Sequence, residues 1–232
     1  RRPPRPTLFP YTTLFRSVLN ELGDTITPAS TELSIARLAA SRLAELGLPD
    51  TWYYECPALV LLGSRGCLSV SGRDYLPHDE PVGDHNLVTV DLSPCEGIVW
   101  GDCARSFAVE GGQDVNHPSC VEFAEGFEVQ ARLHAAMCQH VTPGMSFHDL
   151  HEFTNGLIAS EGFENLDFLG NVGHSIATRR CDRLFIEPGN HQKLGGVPCF
   201  TFEPHIRRAK GVWGFKHENI YCFDTHGKAK EL

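Results

Sequence analysis

The chain has 232 residues, 29 acidic against 20 basic side chains, and a formal net charge of −9. That balance disfavours nucleic acid as a partner, and no apolar run approaches the roughly 20 residues of a membrane span. Nine cysteines, an odd count without CxxC spacing, argue for reduced thiols in a cytoplasm over a disulfide framework or a zinc knuckle.

Residues 7–17 read as the conceptual translation of a widely used DNA sequencing adapter, and the Arg/Pro-rich residues before them as similar run-in. Residues 1–17 are therefore set outside the fold, which leaves 18–232 as one domain with a sizeable core. On this reading the natural start of the chain is missing. Thr27-Pro28-Ala29-Ser30-Thr31-Glu32 opens a helix that continues through Ile35, Leu38, Ala39, Leu43 and Leu46 and ends at Gly47 and Pro49. Residues 57–72 mix apolar runs with glycines, as hairpin strands do, and polar residues 73–86 read as a loop. Residues 88–92 and 106–109 predict two antiparallel strands with a turn near Glu96-Gly97. A helix is predicted over 121–140. A second helix opening follows at Thr142-Pro143-Gly144-Met145-Ser146, where Ser146 and Asp149 have the spacing of a capping box. Its apolar face is Phe147, Leu150, Phe153, Leu157 and Ile158, and Gly162 ends it. Glu203 and Glu218 fall on the last two predicted strands, joined by a basic loop around Arg207, Arg208 and Lys210. Two helix-then-sheet halves give an α+β chain with the pattern of an internal duplication.

Five short phrases carry chemistry. Asp91 closes the run Leu87-Val88-Thr89-Val90-Asp91, and Asp102 lies eleven residues on, in Gly101-Asp102-Cys103-Ala104-Arg105. His174 sits in Gly170-Asn171-Val172-Gly173-His174-Ser175, Glu203 in Phe200-Thr201-Phe202-Glu203-Pro204, and Glu218 in Gly214-Phe215-Lys216-His217-Glu218-Asn219. Taken singly, Asp102 has a local reading as a turn residue, His174 as a loop histidine, and Glu218 as the partner of Lys216 or Arg207 in a surface ion pair. Taken together, four carboxylates and one imidazole on strand-rich segments are a donor set for two divalent cations, with manganese favoured and cobalt, iron or zinc accommodated.

In order and phrasing these five resemble the metallopeptidases of the methionine aminopeptidase, aminopeptidase P and prolidase family, over nearly the whole chain from about residue 18. The resemblance implies the pita-bread fold, in which two helix-plus-sheet halves are related by a pseudo-twofold axis. Asp91 would then chelate one cation, Asp102 and Glu218 would bridge both, and His174 and Glu203 would serve the other. Glu203 would also carry a proton from nucleophile to leaving amine.

The chain departs from the family's substrate-contacting pattern. Cys181 stands seven residues beyond His174, where a histidine is usual, and Asn171 replaces the first histidine of the xaa-proline phrase. An earlier family histidine falls on Asp74 without a gap, or on His78 in a shorter loop, with His85 another neighbour. Lys216 replaces an arginine common in proline-specific members, and His205 replaces a more usual glycine. His78, His85, His205 and Cys181 are thus the candidate substrate contacts, while His117, His134, His140, His148 and His151 read as solvated or structural. The expected function is a cytoplasmic aminopeptidase or dipeptidase with xaa-proline substrates favoured, a small peptide as its partner and a homodimer as its candidate assembly. The rivals are a catalytically idle pita-bread binding module and a creatinase-like amidine hydrolase. Both usually lose metal ligands, and this chain keeps all five.

Overall fold

The computed structural model describes residues 9–232, with side chains from residue 14. In chain order the helices are α1 (Phe9–Thr25), α2 (Glu32–Glu45), α3 (Val121–His140) and α4 (Phe147–Ser160). The strands of the first half are β1 (Asp50–Thr51), β2 (Ala58–Leu62), β3 (His85–Leu92), β4 (Pro94–Glu96), β5 (Val99–Trp100), β6 (Cys103–Glu110) and β7 (Gln113–Asp114). Those of the second are β8 (Phe163–Asn165), β9 (Ser175–Ile176), β10 (Cys199–Phe202), β11 (His205–Arg208), β12 (Phe215–Lys216), β13 (Asn219–Phe223) and β14 (Ala229–Glu231).

Each half builds its own core. In the first, α1 and α2 cover the sheet β2-β3-β6-β7, burying Ile35, Ala39 and Leu43 of α2 against Val60, Val88 and Val90. In the second, Phe123, Leu133 and Met137 of α3 and Phe147, Leu150 and Ile158 of α4 pack on Phe200, Phe202, Ile206 and Phe215. The helices start where their sequences say. Thr31 accepts a hydrogen bond from the Ser34 amide and Ser146 from that of Asp149, both as reciprocal capping boxes. The halves meet where the Glu218 amide donates to the Ala104 carbonyl (2.9 Å) and the Arg105 guanidinium reaches the Glu218 carbonyl (2.7 Å).

Three expectations change. Between 57 and 72 only β2 is a strand; Gly63–Cys67 coils into a 3-10 turn. There the chain passes so close to Gly214 that a Cβ on that residue would lie 1.9 Å from the Gly66 carbonyl oxygen. Glu203 follows β10 and Glu218 precedes β13, with β11 and β12 between them and β14 beyond. Finally, α1 runs through the proposed boundary at residue 17. Phe15, Val18, Leu19 and Leu22 are each 1% exposed and form one face at helical spacing. Residues 1–8 lie outside the described residues.

His134 of α3 is structural, as expected. It is buried, with Nδ1 2.7 Å from the Tyr221 hydroxyl and Nε2 3.1 Å from the His217 carbonyl. Burial lowers its pKa to about 3. The unfolded chain protonates this imidazole near pH 6.5 and the native state does not, so its contribution is intact above 6.5 and is lost as pH falls. Between pH 6.5 and 4.5 the wild type should lose about 2–3 kcal/mol more stability than His134→Gln. Thermal or urea unfolding of both proteins at the two pH values checks this, and parallel losses would exclude it.

Candidate metal centre

The five donors converge from five separate segments. Asp91 is the penultimate residue of β3, and Asp102 leads into β6, so the antiparallel β3–β6 pair brings them to the same end of one sheet. His174 and Glu203 are brought together by β9 and β10, which pair Ser175 with Phe200. The His174 amide donates to Thr201 Oγ1 (3.1 Å), and the Glu203 amide to the Val172 carbonyl (2.9 Å). Gly173, at φ 145°, makes this approach possible: a Cβ there would sit 2.3 Å from the Thr201 carbonyl oxygen.

The ring of His174 is held on all sides. Trp100 stacks on it (5.8 Å between centroids), while Trp52 (5.9 Å) and Phe185 (6.0 Å) meet it edge-on. Both indoles are themselves fixed, Trp52 to the Gly101 carbonyl and Trp100 to that of Ala177, each at 2.8 Å. Nδ1 of His174 lies 3.1 Å from the Ser175 carbonyl, which makes it the protonated nitrogen. Nε2 is left to face Asp102 Oδ2 (3.4 Å) and Glu203 Oε1 (3.9 Å).

The carboxylates of this arrangement differ sharply in their electrostatics. Glu218 is 0% exposed, and neither of its carboxylate oxygens has a hydrogen-bond partner among the described residues. Burial, with Asp102, Glu203 and Asp91 nearby, pushes its carboxyl well above the usual range. Burial likewise pushes Asp102 up to about 7 against the opposing pull of His174, and raises Asp91. Glu203 goes the other way: burial favours its neutral form, but Lys216 and His174 outweigh it and hold the group below the ordinary value. A buried acid without donors is costly. One ligand atom each from Asp102, His174 and Glu218 lie within 4.8 Å of one another. Two carboxylates and an imidazole at that spacing fit a divalent cation.

The donors line or adjoin a cavity of about 410 Å³, a usual size for a small-ligand site. Of the four candidate substrate contacts, only His205 lines it. Its Nε2 is committed to the Gly66 carbonyl (2.6 Å), and burial lowers its pKa to about 4, keeping the ring neutral. The other three lie elsewhere. The His78 amide is pinned to the buried Glu32 carboxylate (2.8 Å), which leaves the residue exposed. His85 begins the strand that Asp91 nearly ends, about 20 Å away along it, and stacks on Phe123. Cys181 is exposed on the 3-10 turn Arg180–Asp182. Arg183, just beyond that turn, faces the cavity with its guanidinium over Trp52 (4.5 Å) and Phe185 (5.4 Å). Sequence reading passed over Arg183 and the ring cage; the aromatic residues had no spacing that tied them to His174.

A carboxylate-and-histidine centre at the junction of two helix-plus-sheet halves defines a pita-bread metalloprotein. Residues 13–224 match metallopeptidase family M24, and the chain belongs to that family. It is 21% identical over 140 residues to a methionine aminopeptidase of Chlamydia trachomatis and 23% to that of Chlamydia muridarum, each covering 58% of this chain and 44% of the relative. Among solved structures it resembles an X-Pro aminopeptidase from Thermotoga maritima (TM-score 0.77, 18% identity, 95% of this chain and 58% of that one). It also resembles an Xaa-Pro dipeptidase from Bacillus anthracis (0.76, 15%, 95% and 57%) and a methionine aminopeptidase from Thermotoga maritima (0.72, 16%, 94% and 91%). The chain thus spans less than half the length of the curated relatives it matches.

Proposed function

We propose that this chain is a metal-dependent aminopeptidase or dipeptidase that hydrolyses an N-terminal peptide bond, with xaa-proline substrates favoured. The observation that carries the reading is the buried, unpartnered carboxylate of Glu218 beside Asp102 and His174. Family membership supports peptide hydrolysis, and the xaa-proline preference rests on structural neighbours that include an X-Pro aminopeptidase and an Xaa-Pro dipeptidase. Asp102, His174 and Glu218, with Asp91 and Glu203, would hold two divalent ions, for which manganese is favoured. When bound, the metal supplies Lewis-acid polarisation of the scissile carbonyl and an activated water.

The chain's own groups do the rest. Glu203, kept ionised by Lys216 and His174, accepts a proton and returns it to the departing amine. Trp52, Trp100 and Phe185 hold the His174 ring and keep water from it. Arg183 presents a positive charge at the cavity wall, where a peptide carboxylate or carbonyl would meet it. A cytoplasmic location follows from the cysteine pattern, and among the described residues no helix is long and apolar enough to cross a membrane. A homodimer is the proposed assembly, which sedimentation would establish.

A dipeptide and tripeptide library incubated with manganese tests the substrate. Release of the residue before proline, faster than from other peptides, is the expected result; uniform inertness of the library would remove the reading. Cys181→His should leave kcat/KM within about threefold, because position 181 is exposed outside the cavity. A gain of a hundredfold or more would show that this position reaches the substrate.

A further inference from the structure

The five donors do not share one environment. Asp102, His174 and Glu218 form a close trio. Asp91 and Glu203 are gathered instead on Lys216, whose Nζ is 2.5 Å from Asp91 Oδ2 and 3.0 Å from Glu203 Oε2. Lys216 is not a surface side chain that has folded over the site. Its backbone is fixed in β12, opposite His205 of β11, and its amide donates to Ser106 Oγ (2.9 Å). The residue before it is also tied, by the Gln130 side chain on the Phe215 carbonyl (2.9 Å). A lysine so anchored, two residues before Glu218, delivers its ammonium to the gap between two carboxylates from different halves of the fold.

Charge balance distinguishes this lysine from an ordinary ion pair. Two divalent cations would neutralise the four carboxylates completely, and Lys216 would then add a positive charge that only a bound hydroxide or a substrate carboxylate could offset. One divalent cation together with Lys216 leaves a single negative charge facing the cavity, which suits the ammonium of a peptide N-terminus. A fixed positive charge within contact distance of both Asp91 and Glu203 also opposes any second cation at those donors, and in a low-dielectric site that repulsion is worth orders of magnitude in affinity.

We propose that Lys216 is a resident cation of this centre: its ammonium takes the place between Asp91 and Glu203, so the chain holds one divalent cation tightly, at Asp102, His174 and Glu218, and a second at least about a hundredfold more weakly. This rests on the metal-centre reading above and specifies its stoichiometry.

The test is the metal content of the purified full chain. The protein is stripped with chelator, titrated with Mn²⁺ by calorimetry, then desalted and measured by elemental analysis. Wild type should retain one equivalent, and two retained equivalents of similar affinity would overturn the proposal. Retention of none would instead remove the metal-centre reading, and this inference with it. Lys216→Met should retain two equivalents. If the methionine variant is not recovered folded, Lys216→Gln carries the same expectation, because its amide can still hydrogen-bond both carboxylates. A neutral variant that folds and stays at one equivalent would show that Lys216 is not the competitor. Asp91→Asn should keep the tight equivalent and His174→Ala should lose it; the opposite pattern would place the tight site at the wrong donors.

Discussion

Glu203→Gln should lower turnover by roughly 10²–10⁴-fold while the tightly held metal remains. Glutamine preserves the shape and one oxygen, so contact with Lys216, now 3.0 Å from Oε2, can persist. What disappears is the capacity to take up a proton. In the wild type that capacity comes from Lys216 and His174, which hold the group ionised despite its burial. The measurement pairs steady-state kinetics on an xaa-proline dipeptide with metal analysis of the same sample. Unchanged turnover would remove the proton-transfer role. Loss of metal together with turnover would instead show that Glu203 acts as a principal ligand of the tight site.

Phe15→Ala should destabilise the fold by about 3–5 kcal/mol, as removal of a buried phenylalanine generally does. Phe15 is 1% exposed and packs so closely on the strand connection that a Cβ at Gly101 would come within 2.4 Å of its ring. Gly101 immediately precedes Asp102, so this contact also supports a proposed metal ligand. For a domain of this size the thermal midpoint should fall by on the order of 10 °C. Removal of residues 1–17 should do at least as much. A midpoint unchanged by either alteration would place α1's first turns outside the stable core. The adapter-like wording of residues 7–17 is a separate proposal about the origin of the DNA, decided by resequencing the source locus.

That segment shows one way in which sequence reading stops short. Phe15, Val18, Leu19 and Leu22 repeat at helical spacing, and the signal was legible. The adapter-like letters offer another explanation for the same residues, but a helix packs by its side chains whatever their origin. Local signals elsewhere were decisive. The span of α3, the opening of α2 and the capping box of α4 follow from patterns contained within a few turns. The five donors were legible because each sits in a phrase of its own. The second layer was not, because it depends on contacts between distant segments. Glu32 holds the His78 amide and His78 does not line the cavity, the length of β3 separates His85 from Asp91, and Arg183 reaches the cavity that Cys181 does not. Lys216 was visible as a substitution two residues before Glu218, but its contact with Asp91 spans 125 positions and no short-range pattern encodes it.

In the proposed function the buried trio of Asp102, His174 and Glu218 binds a divalent metal on which peptide hydrolysis depends. Its most direct test is a chelation and readdition assay on the purified chain with an xaa-proline dipeptide. Hydrolysis should vanish on removal of metal, return with added Mn²⁺, and fail to return in His174→Ala. Hydrolysis that survives chelation, or that Mn²⁺ restores equally in His174→Ala, would contradict the account.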